Sequence, residues 1–492
     1  MQTETDPPPR RVALYAVAFF LLCWAILAIG DAPFAILHDM AEPYAWGRQF
    51  ELGYNQHPPF WAWICGAWFY VFPRAGWSFA ALDALNAAIG LLGAWALIGD
   101  FARGERRVAA FALLLLTPIY TLGAYKYDAN TIFISVWPWM THAFVRALRT
   151  QTLSWSLGFG ALVGVALLCK YYAVVPIAVC GLAALASPEG RRYLRSASPW
   201  ISAATAALLF APHAFWLVHA GAPPLRYFAS ASGLDWGVAL RAAYGSALGV
   251  ACWFILVAVV LVYFAWSGAG VARPQPRDRA EALTLAILAL GPLTLTLACG
   301  LLLRVRQTPE MPVGVLALIP LLAIEAAGLD PARGLGRFAR RAAVFAVVAM
   351  AALSPAVMLA RTYSGDKADG AAPYAEAAEA VTRLWREHNS TPLPFVAGAE
   401  YTHYIVFYSP DRPQAFFQFS YDANLWITPE ALARRGWAAV CAAEDAGCVS
   451  KAETFSDSRT ERRSLIVSHR FLGHVARPRE LVVFLAPPAP EP

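Results

Sequence analysis

The chain has 492 residues, of which 58% are hydrophobic and only 15% charged, with a formal net charge of +6. A soluble domain carries roughly 25% charged residues to cover its core, so this composition excludes an ordinary soluble globule, and it excludes a disordered chain as well. The small net charge gives no footing for nucleic-acid binding, and apolar runs that are continuous rather than alternating exclude a membrane β-barrel; what remains is a polytopic α-helical membrane protein.

The N-terminus is proline-rich, ends in Arg10-Arg11 and leads into an apolar run at 12–29. That run is too long for the core of a signal peptide, and no small-residue cleavage site follows it cleanly. It reads as a retained first helix whose N-terminus is cytoplasmic. A polar, aromatic outer loop follows at 31–60, containing LHDMAEPYAWGRQFELGYNQHPP. Further apolar segments lie at 61–72, 77–99, 108–124, 130–148, 155–168, 171–187, 199–219, 244–266, 281–303, 312–328 and 342–361. The first of these is too short to span and reads as interfacial or re-entrant. The pair meeting at Lys170 reads either as two short spans or as one broken helix; counting two gives about eleven spans. The loops FARGERR, RALRTQ, EGRRYLR, ARPQPRDR and ARGLGRFARR are arginine-rich and go to the cytoplasm. An odd number of spans then places the C-terminus outside.

Residues 1–363 therefore form a transmembrane domain, and 364–492 a soluble, extracytoplasmic α/β domain. In the latter, PYAEAAEAVTRLWREH has helical periodicity. FVAG, WAAVCA, RSLIVSHRFLG and ELVVFLA read as strands. Six cysteines lie in or beside apolar runs and act as small buried hydrophobes. Cys441 and Cys448, seven apart around an acidic turn, pair as a disulfide in an oxidising compartment, the alternative being two thiols.

Charges at membrane depth are costly and mark function. On the outer side the sequence places Asp39 and Glu42 in the first loop, Lys126 and Asp128 in GAYKYDAN, Lys170 with Tyr171 and Tyr172, His213 and Trp216 in APHAFW, and Arg304 and Arg306 in LLLRVRQTPE. Carboxylates rimmed by cations at the outer leaflet suit an isoprenoid lipid carrying a phosphate-linked sugar. Arginine and lysine hold the phosphate, a carboxylate deprotonates an acceptor hydroxyl, and cations stabilise the departing phosphate. Each residue also has a structural reading. Asp39 or Asp128 caps a helix, Arg304 and Arg306 anchor at the interface, and His57 marks a turn before Pro58-Pro59. Asp83 and Asn86, inside the 77–99 span, are assigned to helix–helix hydrogen bonding.

The stretch HDMAEPYAWGRQFELGYNQHPPFWAW resembles the first outer loop of polyprenyl-phosphate-sugar glycosyltransferases of the GT-C fold, which include the lipid A aminoarabinose transferase and protein O-mannosyltransferases. Within that group it is most similar to the rhizobial lipopolysaccharide galacturonosyltransferases, through Asp39 and Glu42, Gly53-Tyr54, His57-Pro58-Pro59, CKYYAVVP with Lys170 and Tyr171, Pro212-His213 with Trp216, and Asp128. The resemblance covers roughly 12–330. It implies Asp39 as the catalytic carboxylate, Asp128 as a second acid supporting the acceptor or Asp39, and Lys170, Arg304 and His57 facing the lipid phosphate. Glu42 is a further catalytic candidate, and Tyr54, Tyr171, Lys126, Arg306 and His213 are further candidate substrate contacts. Glu42 and His57 stand where the aminoarabinose transferase has an arginine and a lysine, which argues against aminoarabinose as the sugar.

The expected function is inverting transfer of a sugar from a polyprenyl-phosphate donor to lipopolysaccharide, lipid A or another envelope glycan or glycolipid, at the bacterial inner membrane with the C-terminal domain periplasmic. Protein O-glycosylation is the alternative within the same fold, and a lipid or sugar transporter or a non-catalytic scaffold the alternatives outside it. No metal-ligand spacing and no glycine-rich phosphate loop is evident. No cofactor is required; a divalent cation held by Asp39, Asp128 and the donor phosphate is allowed but not demanded.

Overall fold

The structure, a computed structural model, describes residues 6–32, 34–120, 126–267, 277–363, 372–471 and 473–489. The basic loop at 268–276 and the start of the polar C-terminal region at 364–371 lie outside the described residues. In chain order the helices are α1 (Pro9–Asp31), α2 (His38–Gly47), α3 (Phe60–Val71), α4 (Gly76–Phe101), α5 (Gly104–Leu114), α6 (Phe133–Thr150), α7 (Leu153–Cys169), α8 (Val174–Ala186), α9 (Pro188–Leu194) and α10 (Ser198–His219). They continue with α11 (Pro223–Ser230), α12 (Trp236–Trp253), α13 (Ile255–Trp266), α14 (Arg279–Leu302), α15 (Ile319–Ala326) and α16 (Leu335–Tyr363). The C-terminal region adds α17 (Tyr374–His388), α18 (Thr402–Tyr408), α19 (Pro429–Arg435) and α20 (Ala446–Phe455).

Among the described residues, five helices are long and apolar enough to cross a membrane: Pro9–Gly30, Gly76–Phe101, Ser198–His219, Arg279–Leu302 and Leu335–Ala360. Two bent pairs, Tyr171–Ala186 with Pro188–Leu194 at 112° and Trp236–Trp253 with Ile255–Trp266 at 55°, raise this to seven. The expectation of about eleven spans counted every apolar run except 61–72. The remaining runs form shorter helices, such as the 11-residue α5 and 17-residue α7, or, in α6, a helix whose Trp137, Trp139, His142, Arg146 and Arg149 lower its hydropathy. At Lys170 the backbone is extended and α7 and α8 are separate helices.

The chain divides into two compact units. One comprises 1–25 and 81–352 and is helical. In it α7 packs on α6 and α10, α8 on α14, and α5 on α15. Asn86 on α4 donates to the Thr131 carbonyl at 2.7 Å and accepts from Ser135 at 2.6 Å, tying α4 to the start of α6. At the other end of these helices lies a charge network. Arg277 contacts Glu281 at 3.1 Å and Glu325 at 2.5 Å, Arg149 contacts Glu281 at 3.0 Å, and Arg340 contacts Glu105 at 3.0 Å.

The second unit comprises 26–80 and 353–492, so the first loop and the C-terminal α/β region are one body. Its five-stranded sheet has β1 (Phe395–Gly398), β2 (Gln414–Phe417), β3 (Trp437–Ala442), β4 (Glu461–Val467) and, after a small β5–β6 hairpin (Arg470–Phe471 and His474–Val475), β7 (Arg479–Ala486). The order is β2-β1-β3-β7-β4, with β2, β1 and β3 parallel and β7 antiparallel to β3 and β4. Phe395, Phe416, Trp437 and Phe484 pack in its core. Cys441, in β3, and Cys448, in α20, are joined in a disulfide, with Cα atoms 5.6 Å apart.

Candidate active site

In the second unit the loop expected at 31–60 folds into α2 followed by a tight turn. Asp39 lies in the first turn of α2 and Glu42 on the next. The Asp39 side chain is 55% exposed, and His38 Nδ1 lies 3.8 Å from its carboxylate. That carboxylate raises the His38 pKa above its ordinary value against the opposing effect of burial, with Glu42 and Glu400 adding to it. The helix then enters an aromatic frame. Tyr54 stacks on Trp46 at 5.1 Å and donates its hydroxyl to the Trp46 carbonyl at 2.8 Å. Its N–H donates to the His57 carbonyl at 3.0 Å, and Trp61 donates to the Pro58 carbonyl at 2.9 Å. Glycine is required where α2 crosses α3: a Cβ on Gly47 would overlap the Ala62 carbonyl oxygen, and one on Gly66 the Gly47 carbonyl.

In the helical unit the charged groups form a chain of contacts. Asp128 is buried, and its Oδ1 accepts from the N–H groups of Asn130 at 2.7 Å and Thr131 at 2.8 Å, which makes it a cap for the turn leading into α6. Its Oδ2 is 3.2 Å from Lys126, whose Nζ is also 3.3 Å from Glu310. Lys170, at the break between α7 and α8, donates to Asn130 Oδ1 at 2.6 Å. Asn130 thus links the Lys170 ammonium to the Asp128 carboxylate. Tyr171 and the buried His213 form a hydrogen-bonded pair at 2.7 Å, and His213 stacks on Trp216 at 5.5 Å. Arg304 follows α14 in a left-handed conformation, φ 48°, uncommon for a side-chain-bearing residue. Its guanidinium sits 5.7 Å from the Trp236 ring, and its carbonyl accepts from the Leu234 N–H at 2.9 Å. Arg306 is exposed.

The expected residues therefore sort by what their polar atoms already do. Lys126, Asp128 and Lys170 are brought into one network. Tyr54 is fully buried, and its hydroxyl donates to the Trp46 carbonyl. His213 is likewise buried and paired. His57 packs its ring edge-on to Trp61 at 5.6 Å in the turn before α3. Asn86 takes its expected helix–helix role. Glu310 and Asn130 close the quoted stretches LLLRVRQTPE and GAYKYDAN, but nothing local in the sequence distinguishes them from their neighbours; their roles come from the contacts with Lys126 and Lys170. Among the described residues no group of three or more His, Cys, Asp or Glu side chains gathers to hold a metal ion.

This arrangement of helices has solved counterparts. ArnT from Cupriavidus metallidurans bound to undecaprenyl phosphate superposes with a TM-score of 0.62 at 15% identity, over 97% of this chain and 98% of that one, and its apo state gives 0.61 at 14% identity over 96% and 98%. At such identity the likeness is one of fold. The family model of dolichyl-phosphate-mannose-protein mannosyltransferases matches residues 56–216. The fold and these matches define a multi-pass membrane glycosyltransferase of the GT-C fold. In sequence the chain is similar to the lipopolysaccharide core galacturonosyltransferase RgtB of Rhizobium johnstonii, 27% identical over 340 residues, which is 66% of this chain and 67% of that relative.

Proposed function

We propose that the protein transfers a sugar, with inversion at the anomeric carbon, from a polyprenyl-phosphate donor to a lipopolysaccharide, lipid A or other envelope glycolipid on the periplasmic side of a bacterial inner membrane. The observation that carries the reading is Asp39: a carboxylate on the first turn of a short helix, half exposed and beside His38. In this reading Asp39 removes the proton from the acceptor hydroxyl as that oxygen attacks the anomeric carbon, and Glu42 on the same helix supports the acceptor. Lys170, Arg304 and Arg306 supply positive charge for the phosphate that leaves. Asp128 acts at one remove, by fixing Lys126 and, through Asn130, Lys170. The likeness to RgtB supports the choice of a lipopolysaccharide acceptor, and the ArnT complex with undecaprenyl phosphate supports the donor class. The mannosyltransferase family match at 56–216 supports a second reading, transfer to protein.

The test is mass spectrometry of envelope glycolipids from a deletion strain complemented with the native gene or with Asp39→Asn at matched protein levels. The reading requires that one sugar-sized mass vanish on deletion and return only with the native gene. Full restoration by Asp39→Asn removes Asp39 as the base. Unchanged glycolipids with a lost glycoprotein species select the protein acceptor.

A further inference from the structure

The helix that carries Asp39 and Glu42 is poorly equipped to hold itself. It has ten residues, contains Pro43, and its N-cap residue Leu37 offers no side-chain hydrogen bond. A helix this short is marginal in water even with favourable residues, so its shape must come from what surrounds it. On one side it is packed by α3, through the close crossing at Gly47 and Gly66; the hold on its two ends is supplied by the C-terminal region of the same unit. Just before α2, the Ile36 N–H donates to the Tyr408 hydroxyl at 2.8 Å. Just after it, Arg48 donates from Nη1 to the Pro413 carbonyl and from Nη2 to the Arg412 carbonyl, both at 3.0 Å. Between these ends, His38 lies 5.6 Å from His403, which is fully buried and stacked on Phe417 at 4.5 Å, and Tyr44 packs on Phe407 at 5.1 Å. Arg74, beyond α3, donates to the Phe407 and Ser409 carbonyls at 2.8 and 2.9 Å at the C-terminal end of α18, where a cation complements the helix dipole.

We propose that the C-terminal α/β region is a template for the carboxylate-bearing helix, and that Tyr408 and Arg48 are positioning residues that set the place of Asp39 by holding the two ends of α2. The proposal rests on the reading of Asp39 as base. Neither residue touches substrate in this scheme. Each fixes the backbone that presents the acid, and a displacement of about 1 Å in such a group can cost about a hundredfold in rate. Tyr408 has the larger share, because Asp39 lies one turn from the end it holds, whereas Arg48 holds the far end. Both bonds also explain why the loop at 31–60 and a region more than 300 residues later form one compact unit.

The experiment uses full-length protein in detergent, with polyprenyl-phosphate-sugar lipids extracted from the host as donor and lipopolysaccharide from the deletion strain as acceptor. Tyr408→Phe, Arg48→Ala, Arg48→Lys and Asp39→Asn are compared with the native protein, alongside hydrogen exchange of the α2 amides. Tyr408→Phe and Arg48→Ala are expected to lower the rate at saturating donor by about tenfold, with half-saturating donor within about twofold of native. Exchange should accelerate over 38–47 while the amides of α4 and β3 stay protected, and Arg48→Lys should recover part of the rate. Native rate and native α2 exchange in Tyr408→Phe and Arg48→Ala overturn the proposal, as does loss of protection throughout the chain in both. If Asp39→Asn is fully active, the base assignment fails, and the template role is then decided by α2 exchange alone. If Asp39→Asn is inactive while both positioning variants keep native rate, the base assignment stands and the template role falls.

Discussion

The two acidic positions that the sequence marked, Asp39 and Asp128, sit in opposite kinds of environment. Asp128 is buried, with one oxygen capping a turn and the other facing Lys126. Asp39 keeps 55% of its side chain exposed on the first turn of a helix held from outside. The difference teaches that two acids from the same set of candidates are placed differently: Asp128 belongs to the frame that holds Lys126 and Asn130, whereas Asp39 keeps about half its side chain exposed, as its proposed role as base requires.

That division is open to attack from both sides. The largest effect is expected from Asp39→Asn, which should lower transfer by about 10²–10⁴-fold while leaving the thermal midpoint unchanged; a midpoint that drops with the activity would make Asp39 structural like its counterpart. Lys126→Met comes next. It leaves Asp128 and Glu310 without their shared ammonium, and removing one partner from a largely buried ion pair costs about 3 kcal/mol. Thermal unfolding in detergent reads this, and Lys126→Met combined with Asp128→Asn should recover part of the loss.

The pH dependence of the second unit sharpens the contrast. Burial, with His38 adding to it, pushes the His403 pKa down from 6.5 to about 3, and both of its ring nitrogens are buried without a hydrogen-bond partner among the described residues. Between these values the unfolded chain binds more protons than the folded one. Stability contributed by neutral His403 is therefore complete above pH 6.5 and falls by up to about 1.4 kcal/mol per pH unit as the pH drops towards 3. His38 has the opposite sign: its pKa is raised, so its contribution is complete below 6.5 and fades as the pH rises through its folded value. At 41% exposure its share is the smaller. Unfolding followed across this window should show acid destabilisation that His403→Phe abolishes, since an apolar ring of similar shape has no proton to gain. The smallest effect is expected from Trp236→Ala. It removes the ring beneath the Arg304 guanidinium, worth about 0.5–1 kcal/mol, and should raise half-saturating donor by about two- to fivefold with the rate at saturation kept.

Much of this architecture was legible in the sequence, and the reasons are specific. The long apolar runs became α1, α4, α10, α14 and α16 because 18 or more consecutive apolar residues have few alternatives to a helix in hydrocarbon. FVAG, WAAVCA and ELVVFLA became β1, β3 and β7, as their β-branched and aromatic content suggests. The helix α2 carries no helical signal in the sequence, because it lacks a capping residue and holds a proline; its helicity comes from packing rather than propensity. The strand β2 at the sheet edge and the short α18 carried too little pattern to be seen.

Hydropathy, residue type and motif order thus pointed by themselves to a helical membrane glycosyltransferase, since each of those signals is local along the chain. Which acid is committed and which remains exposed, that Asn130 joins Lys170 to Asp128, and that Tyr408 and Arg48 bracket the helix bearing Asp39 were decided only by tertiary structure. Those contacts join residues 40 to more than 300 positions apart. A hydrogen bond over such a separation leaves no period in the sequence; it exists only once the packing of both partners has fixed their positions.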